Sequence, residues 1–503
     1  MTEEIDRRVL LRSVITAGAG IGFGGVHLQR SAAAEKASSL LAPEPRTEAL
    51  VFLLEKTPRD QVLEKVGAKI REGATYDDVL AALILAGVRE VQPRPSVGFQ
   101  FHTVLGVLSY HHIRSELPAE DQWLPVFWGI DYFKSAQSSD ERQGDWKMPP
   151  VDESAVPLPD QAARSLVEAM HAWNEPEADA AAAAVARHLP PQQAFELFYP
   201  LGSRDFRSIG HKAIFVMGAQ RVLQQIGWRH AEPIMRSLAY ALLMHDDGNP
   251  ADRDDPADQP WRRNQRIAGK IRNNWQDGGL SREATAELLS VFHNGSPEDA
   301  ADSVIARINA GASPVSVWDA IFCGAAELQL RQPNIVSLHA VTTSRAIHYA
   351  YQTTTQEATR RLLLLQNASL LPMFRDSAAG RGGLAEMSIE GIEAIPPEGT
   401  DETAIRDIVD GLSGARRQAA GRILGYLEAN RSQKPLLSRI RQLLAYKAGG
   451  VHDYKFTSAA LEDFQHVSKP WRNRYLACGA MHFRGSDGSD NSIVRRTRQA
   501  LSG

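Results

Sequence analysis

Cysteine is nearly absent. Two residues, Cys323 and Cys478, in a chain of 503 cannot build a disulfide framework or a thiolate metal site. Charge of one sign is missing as well: the formal net charge is -4, which gives no electrostatic case for a nucleic-acid partner. No G-x-S-x-G elbow is present and neither cysteine has a telling neighbour, so no Ser/His/Asp or Cys/His nucleophile is legible. H-E-x-x-H is absent too, which argues against a zinc protease. Aromatics are sparse at 7%, yet Trp123, Phe127, Trp128, Tyr132 and Phe133 crowd into one segment, 118–150, either to fill core or to wall a pocket for a flat apolar molecule.

What is present begins with an address. Asp6-Arg7-Arg8-Val9-Leu10-Leu11-Arg12, a mildly apolar stretch and Ser31-Ala32-Ala33-Ala34 follow the order of a twin-arginine signal peptide over 1–34, which makes the protein an exported, periplasmic one with no membrane anchor after signal removal. Gly20-Ile21-Gly22-Phe23-Gly24-Gly25 also fits a dinucleotide fingerprint, but no second strand ending in an acidic residue follows, so no nucleotide cofactor is expected.

Past a linker at 35–59, apolar residues recur at three and four almost everywhere, including 161–173, 177–188, 211–226, 230–245, 281–293, 297–310, 338–351, 355–371, 403–429 and 435–448. This predicts an all-α fold over 60–485, with surface loops at 246–264 and 376–400 and a polar tail at 486–503.

The chain is also written twice. DQVLEKVGAKIREGATYDDVLAALILAG from Asp60 lies without a gap over EDAADSVIARINAGASPVSVWDAIFCGA from Glu298, with Val66/Val304, Gly73/Gly311, Ala74/Ala312 and Val79/Val317 identical. With one residue deleted downstream His102 meets His339, and nine residues on His111 meets His348. Weaker copies of the plan, a helix, a break and a second helix opening near a histidine, reach His211 and His452. The expected architecture is an internally duplicated helical bundle or solenoid-like array around a central site, with halves at about 60–250 and 265–485.

Core packing accounts for matched apolar residues, but it gives no reason to repeat histidines. His102, His211, His339 and His452 are therefore the candidate metal ligands, and four converging imidazoles suit iron, copper, nickel or zinc. Lys455 follows His452 by three and shares its helix face. An ammonium beside a metal is repelled, so this lysine reaches solvent, stays clear of the ion, or is neutralised, as carbamylation by carbon dioxide would do. His111 and His348, two and a half turns past their partners, are candidates for supporting roles around the ligands. His230, beside Glu232, is a candidate catalytic group, with His112 and His245 in reserve.

Phe101-His102, Gly210-His211, Leu338-His339-Ala340-Val341-Thr342 with Ala346, and His452-Asp453-Tyr454-Lys455 together resemble the questin oxidase-like family, over roughly 60–480. The resemblance implies an all-helical fold, oxygen-dependent cleavage of polycyclic aromatic quinones, and a non-heme iron held by histidines and a modified lysine. Carried over, it makes His102, His211, His339 and His452 the iron ligands and Lys455 the modified residue. Thr103-Val104 stand where the family tends to place a second histidine, no proline follows His211, and the family's fungal-pigment substrate does not transfer. The expectation is an exported non-heme iron oxygenase acting with dioxygen on an aromatic or quinone-like small molecule. Two rivals stay open: a non-catalytic helical-repeat binding protein, and a zinc hydrolase using the same histidines. A scaffold leaves the matched histidines apart, whereas a metalloenzyme brings them together.

Overall fold

The computed structural model describes residues 44–93 and 98–503, and among them every regular element is helical, apart from a lone bridge between Gly279 and Ala312. The all-α expectation holds. The proposed signal at 1–34 lies outside the described residues. The expected linker is in part a helix, Pro45–Lys56, which buries Leu50, Val51 and Leu54. The C-terminal stretch is likewise more than a polar tail: Ser492–Ser502 is a helix whose Ile493, Val494 and Ala500 are buried, and Ala500 lies against Gly67.

The duplicated sequence folds into duplicated geometry. Val62–Arg71 leads to Tyr76–Glu90 as Pro297–Asn309 leads to Pro314–Arg331. Both first helices stop on a glycine in the left-handed region, Gly73 at φ 102° and Gly311 at φ 105°. In each, the glycine N–H donates to the carbonyl three residues back (Ile70, Ile308) and the next N–H to the carbonyl five back (Lys69, Arg307). That is the Schellman ending, which needs a residue without the Cβ penalty of left-handed backbone. The second helices open on side-chain caps, Thr75 and Ser313, and run buried along most of their length.

Each of four units then returns through a helix bearing one of the histidines. These are Gly98–Leu105, continued after Gly106 by Val107–Arg114, then His211–Ile226, Ile335–Thr353 and Val451–His466. The His339 helix packs on the His211 and His452 helices, and the first pair packs on both of those.

Local sequence explains where the pattern departs from expectation. The 246–264 segment is not all loop, since Pro260 at the second position starts a short helix, Gln259–Ile267. Glu357–Ala379 carries Pro372 inside it and runs on past the expected end at 371. The 403–429 stretch is two helices, Asp401–Gly414 and Arg416–Glu428, broken at Ala415. In the aromatic segment Leu124–Arg142 is helical and buries Phe127 and Phe133 completely, so these two residues fill core.

Candidate metal centre

Each histidine reaches the centre from near the start of its helix, and each start is fixed by its own chemistry. Gly210 precedes His211 in left-handed backbone, φ 83°, and its α-carbon faces Thr343 of the His339 helix. Asn334 accepts from the Val336 and Ser337 N–H groups and so caps the His339 helix. Before His452, the N–H groups of Gly449 and Gly450 donate to the Asp453 carboxylate, which also pairs with Arg484.

The result is a ring in chain order. Centroids are 4.8 Å apart for His102–His211, 4.3 Å for His211–His339, 5.2 Å for His339–His452 and 4.3 Å for His452–His102. One candidate ligand atom from each of the four lies within 4.8 Å of the others, and His102 Nε2 stands 3.1 Å from His211 Nε2. Two ligands at about 2.1 Å from a shared ion are separated by about 3.0–3.4 Å when adjacent and about 4.2 Å when opposite, so the set closes on one ion with shifts of a few tenths of an ångström.

Tautomers are set from outside the ring. His211 Nδ1–H donates to the Ser208 carbonyl at 2.7 Å, and His339 Nδ1–H to the Ile335 carbonyl at 2.7 Å. A carbonyl can only accept, so Nε2 of both rings keeps its lone pair for the centre. His452 Nε2 is buried without a partner, a costly state for a polar atom unless a ligand completes it, and so is His102 Nδ1, on the ring edge away from the Nε2 that faces His211. Burial first, and the neighbouring Lys455 and imidazoles next, hold His102 well below the usual imidazole range. Burial likewise depresses His211 and His339, and pushes His452 down to about 3. Neutral imidazole is the form that binds a transition metal.

Lys455 does not reach solvent. It is 2% exposed, with Nζ 3.4 Å from His339 Nε2, and burial pulls its ammonium down to about 7. The four histidines can therefore hold a metal ion, with an amine beside them that is readily neutral.

The remaining candidates go elsewhere. His230 caps the helix Ala231–Leu243 and its charged neighbours are Arg229, Glu44, Glu48 and Arg89, so the structure gives it no place at the centre. His111 and His348 do not support the ligands either. Nine residues is half an odd number of turns, which sends each to the opposite face of its helix. His111 lies against Tyr76 and His112, and His348 against Trp318, Phe322, Tyr351 and His466.

Sequence reading missed a second polar layer on the same helices. Arg345 donates to His112 Nδ1 at 2.6 Å and to Ser458 Oγ at 3.2 Å, and pairs with Glu462. Arg221 donates to Glu462 at 2.5 Å. A signal for it existed: Arg221 and Glu462 each stand ten residues after a candidate ligand, His211 and His452. Because every residue of this layer lies C-terminal to one of the four histidines, the helices run in the same direction away from the centre. No protein-family model, curated protein or solved structure matches the chain.

Proposed function

We propose that this protein is a non-heme iron oxygenase of the questin oxidase-like kind, exported as a folded protein, that acts on an aromatic or quinone-like small molecule. The observation that carries the reading is the convergence of four imidazoles, three buried and the fourth half-buried, from four repeats of one plan, with a buried lysine beside them. A binding scaffold has no use for that convergence. Bound iron would supply the dioxygen chemistry that no side chain provides. The chain's own part is to exclude water, hold the Nε2 lone pairs inward through the Ser208 and Ile335 carbonyls, and keep protons off the ring nitrogens.

Lys455 is the second element of the reading. An ammonium among four ligands repels a cation, so the nitrogen functions neutral. Carbamylation does this by bonding the amine nitrogen to the carbon of carbon dioxide with loss of one N–H proton, and it leaves a carboxylate facing the histidines. The similarity of His452-Asp453-Tyr454-Lys455 to the family motif supports this form.

Elemental analysis after iron-replete, anaerobic expression tests the metal, and oxygen uptake with a panel of phenols and quinones tests the activity. Stoichiometric iron with uptake by at least one ring compound is expected. Stoichiometric zinc without oxygen uptake would sink the reading in favour of a hydrolase. Isotope-labelled bicarbonate should give a carbamate carbon resonance that Lys455→Met removes.

A further inference from the structure

The second polar layer opens into a cavity of about 530 Å³, a size typical of small-molecule sites. Its chemistry is unbalanced. Arg221 and Arg345 share the single carboxylate of Glu462. Arg441, only 17% exposed at its side chain, meets one acid among the described residues, Glu116 on the same wall at 4.0 Å, and none of its guanidinium donors makes a hydrogen bond among them. Lys434, also on the wall, has no ion pair among the described residues. Burial pulls both Arg441 and Arg221 below the usual guanidinium range, the expected penalty for cations removed from water without enough counter-charge.

His112 adds a donor. Arg345 can only donate, so His112 Nδ1 accepts and the ring proton sits on Nε2, on a residue that lines the cavity. The opposite character is supplied by Ile113, Leu437 and Leu461, which give an apolar wall. A lining that combines cationic donors with aliphatic side chains suits a molecule with an anionic group on a flat apolar body.

We propose that this cavity is a binding site for a small aromatic carboxylate, whose anionic end is held by Arg441, Lys434 and His112. A planar carboxylate matches the paired donors of a guanidinium, and the ring lies against Ile113, Leu437 and Leu461. The site shares its helices with the histidines: Ser458, on its wall, is one turn beyond Lys455 on the same face. It does not depend on the metal, and binding to metal-free protein separates its failure from failure of the oxygenase reading.

Titration calorimetry of full-length, metal-free protein with benzoate, and with the neutral isostere benzamide, tests the proposal. Saturable benzoate binding is expected, weakened at least about tenfold by Arg441→Gln and partly restored by Arg441→Lys, with benzamide at least about tenfold weaker. Arg441 is half-buried with a single acid at 4.0 Å and no hydrogen bond among the described residues, so Arg441→Gln should leave the melting temperature unchanged or higher, which separates lost binding from lost fold. Benzamide binding as tightly as benzoate, or benzoate binding unaffected by Arg441→Gln, would overturn the proposal. Inorganic phosphate displacing benzoate at equal concentration would overturn the aromatic carboxylate as the ligand.

Discussion

Gly210→Ala should dismantle the metal centre, whereas the same change at Gly73 or Gly311 should not. All three glycines occupy left-handed backbone, at φ 83°, 102° and 105°, so each substitution carries the intrinsic strain of an L-residue there, about 1–2 kcal/mol. They differ in what the new Cβ meets. Around Gly73 and Gly311 nothing lies within 4 Å. At Gly210 the added carbon would overlap Thr343 Oγ1 and come to 2.7 Å from Thr343 Cβ and Cγ2. Rotating the hydroxyl away does not help, because Thr343 Cβ is fixed to the backbone and the residue is fully buried. Restoring ordinary contact means separating the His211 helix from the His339 helix by roughly 1 Å, and a ligand set displaced by that much no longer closes on an ion. Urea titration and metal stoichiometry of the three purified variants provide the assay. Gly73→Ala and Gly311→Ala should lose about 1–2 kcal/mol and keep full metal, while Gly210→Ala should lose at least about 3 kcal/mol and most of its metal. If Gly210→Ala kept its metal and matched the other two in stability, the argument that this glycine sets the spacing of the ligand helices would be wrong.

His339→Ala should lower metal affinity by more than about 100-fold, read by competition with a chromophoric chelator, because removing a ligand costs more than disturbing the groups behind it; unchanged affinity would exclude His339 as a ligand. Asp205→Asn should cost about 3–5 kcal/mol in chemical denaturation, since Asp205 is fully buried and holds Lys212 at 2.7 Å beside Arg204, leaving these two cations unbalanced when it is lost, while Arg207 keeps Asp255 and Asp258; a loss below about 1 kcal/mol would show that the two cations find other partners. Glu462 gives a pH dependence: burial raises its carboxyl, but Arg345 and Arg221 outweigh burial and bring it down to about 2 from an unfolded value of 4.5. Its contribution to stability, about 3 kcal/mol, is therefore fully present above pH 4.5 and is lost as the pH falls toward 2. Glu462→Gln should remove that acid-sensitive component from a pH series of denaturation curves, and identical pH profiles for the two proteins would refute the assignment.

Helical periodicity and the repeat made the fold class and the four converging histidines legible, because both are patterns of residue type at fixed spacing. The repeat was informative at His102 and His339 because nothing in packing demands imidazole there. The same logic failed one step on. His111 and His348 match as well as their partners, but half an odd number of turns places them against Tyr76 and Trp318 on the far face. His230 stands beside Glu232 in sequence, but Glu232 pairs with Arg187, and adjacency in sequence says little about which way a helix start faces. Gly210 and Thr343 were out of reach for a different reason. Their contact lies between two helices, and no single-chain pattern encodes which threonine a glycine must clear.

The ring of histidines also explains what the duplication is for. His102 and His339, equivalent by a shift of 237, lie across the ring at 6.1 Å, farther apart than any pair of ring neighbours. His211 and His452, related by a shift of 241, take the other two corners. Equivalent residues at opposite corners are what two halves related by a local two-fold axis through the centre would give, the same logic that makes symmetric dimers share a site at their interface. Applied again, the shift of 241 carries Arg221 onto Glu462, and these two equivalent positions touch each other. On a two-fold axis a residue meets its own copy, so identical charges there would repel; opposite charges turn the same position into an ion pair. The shift also carries Lys455 back onto Ile214, so only one half brings an amine to the ligands. The ligand set is thus close to symmetric while its surroundings are not, and a centre that takes two corners from each half can form only when both halves are folded together.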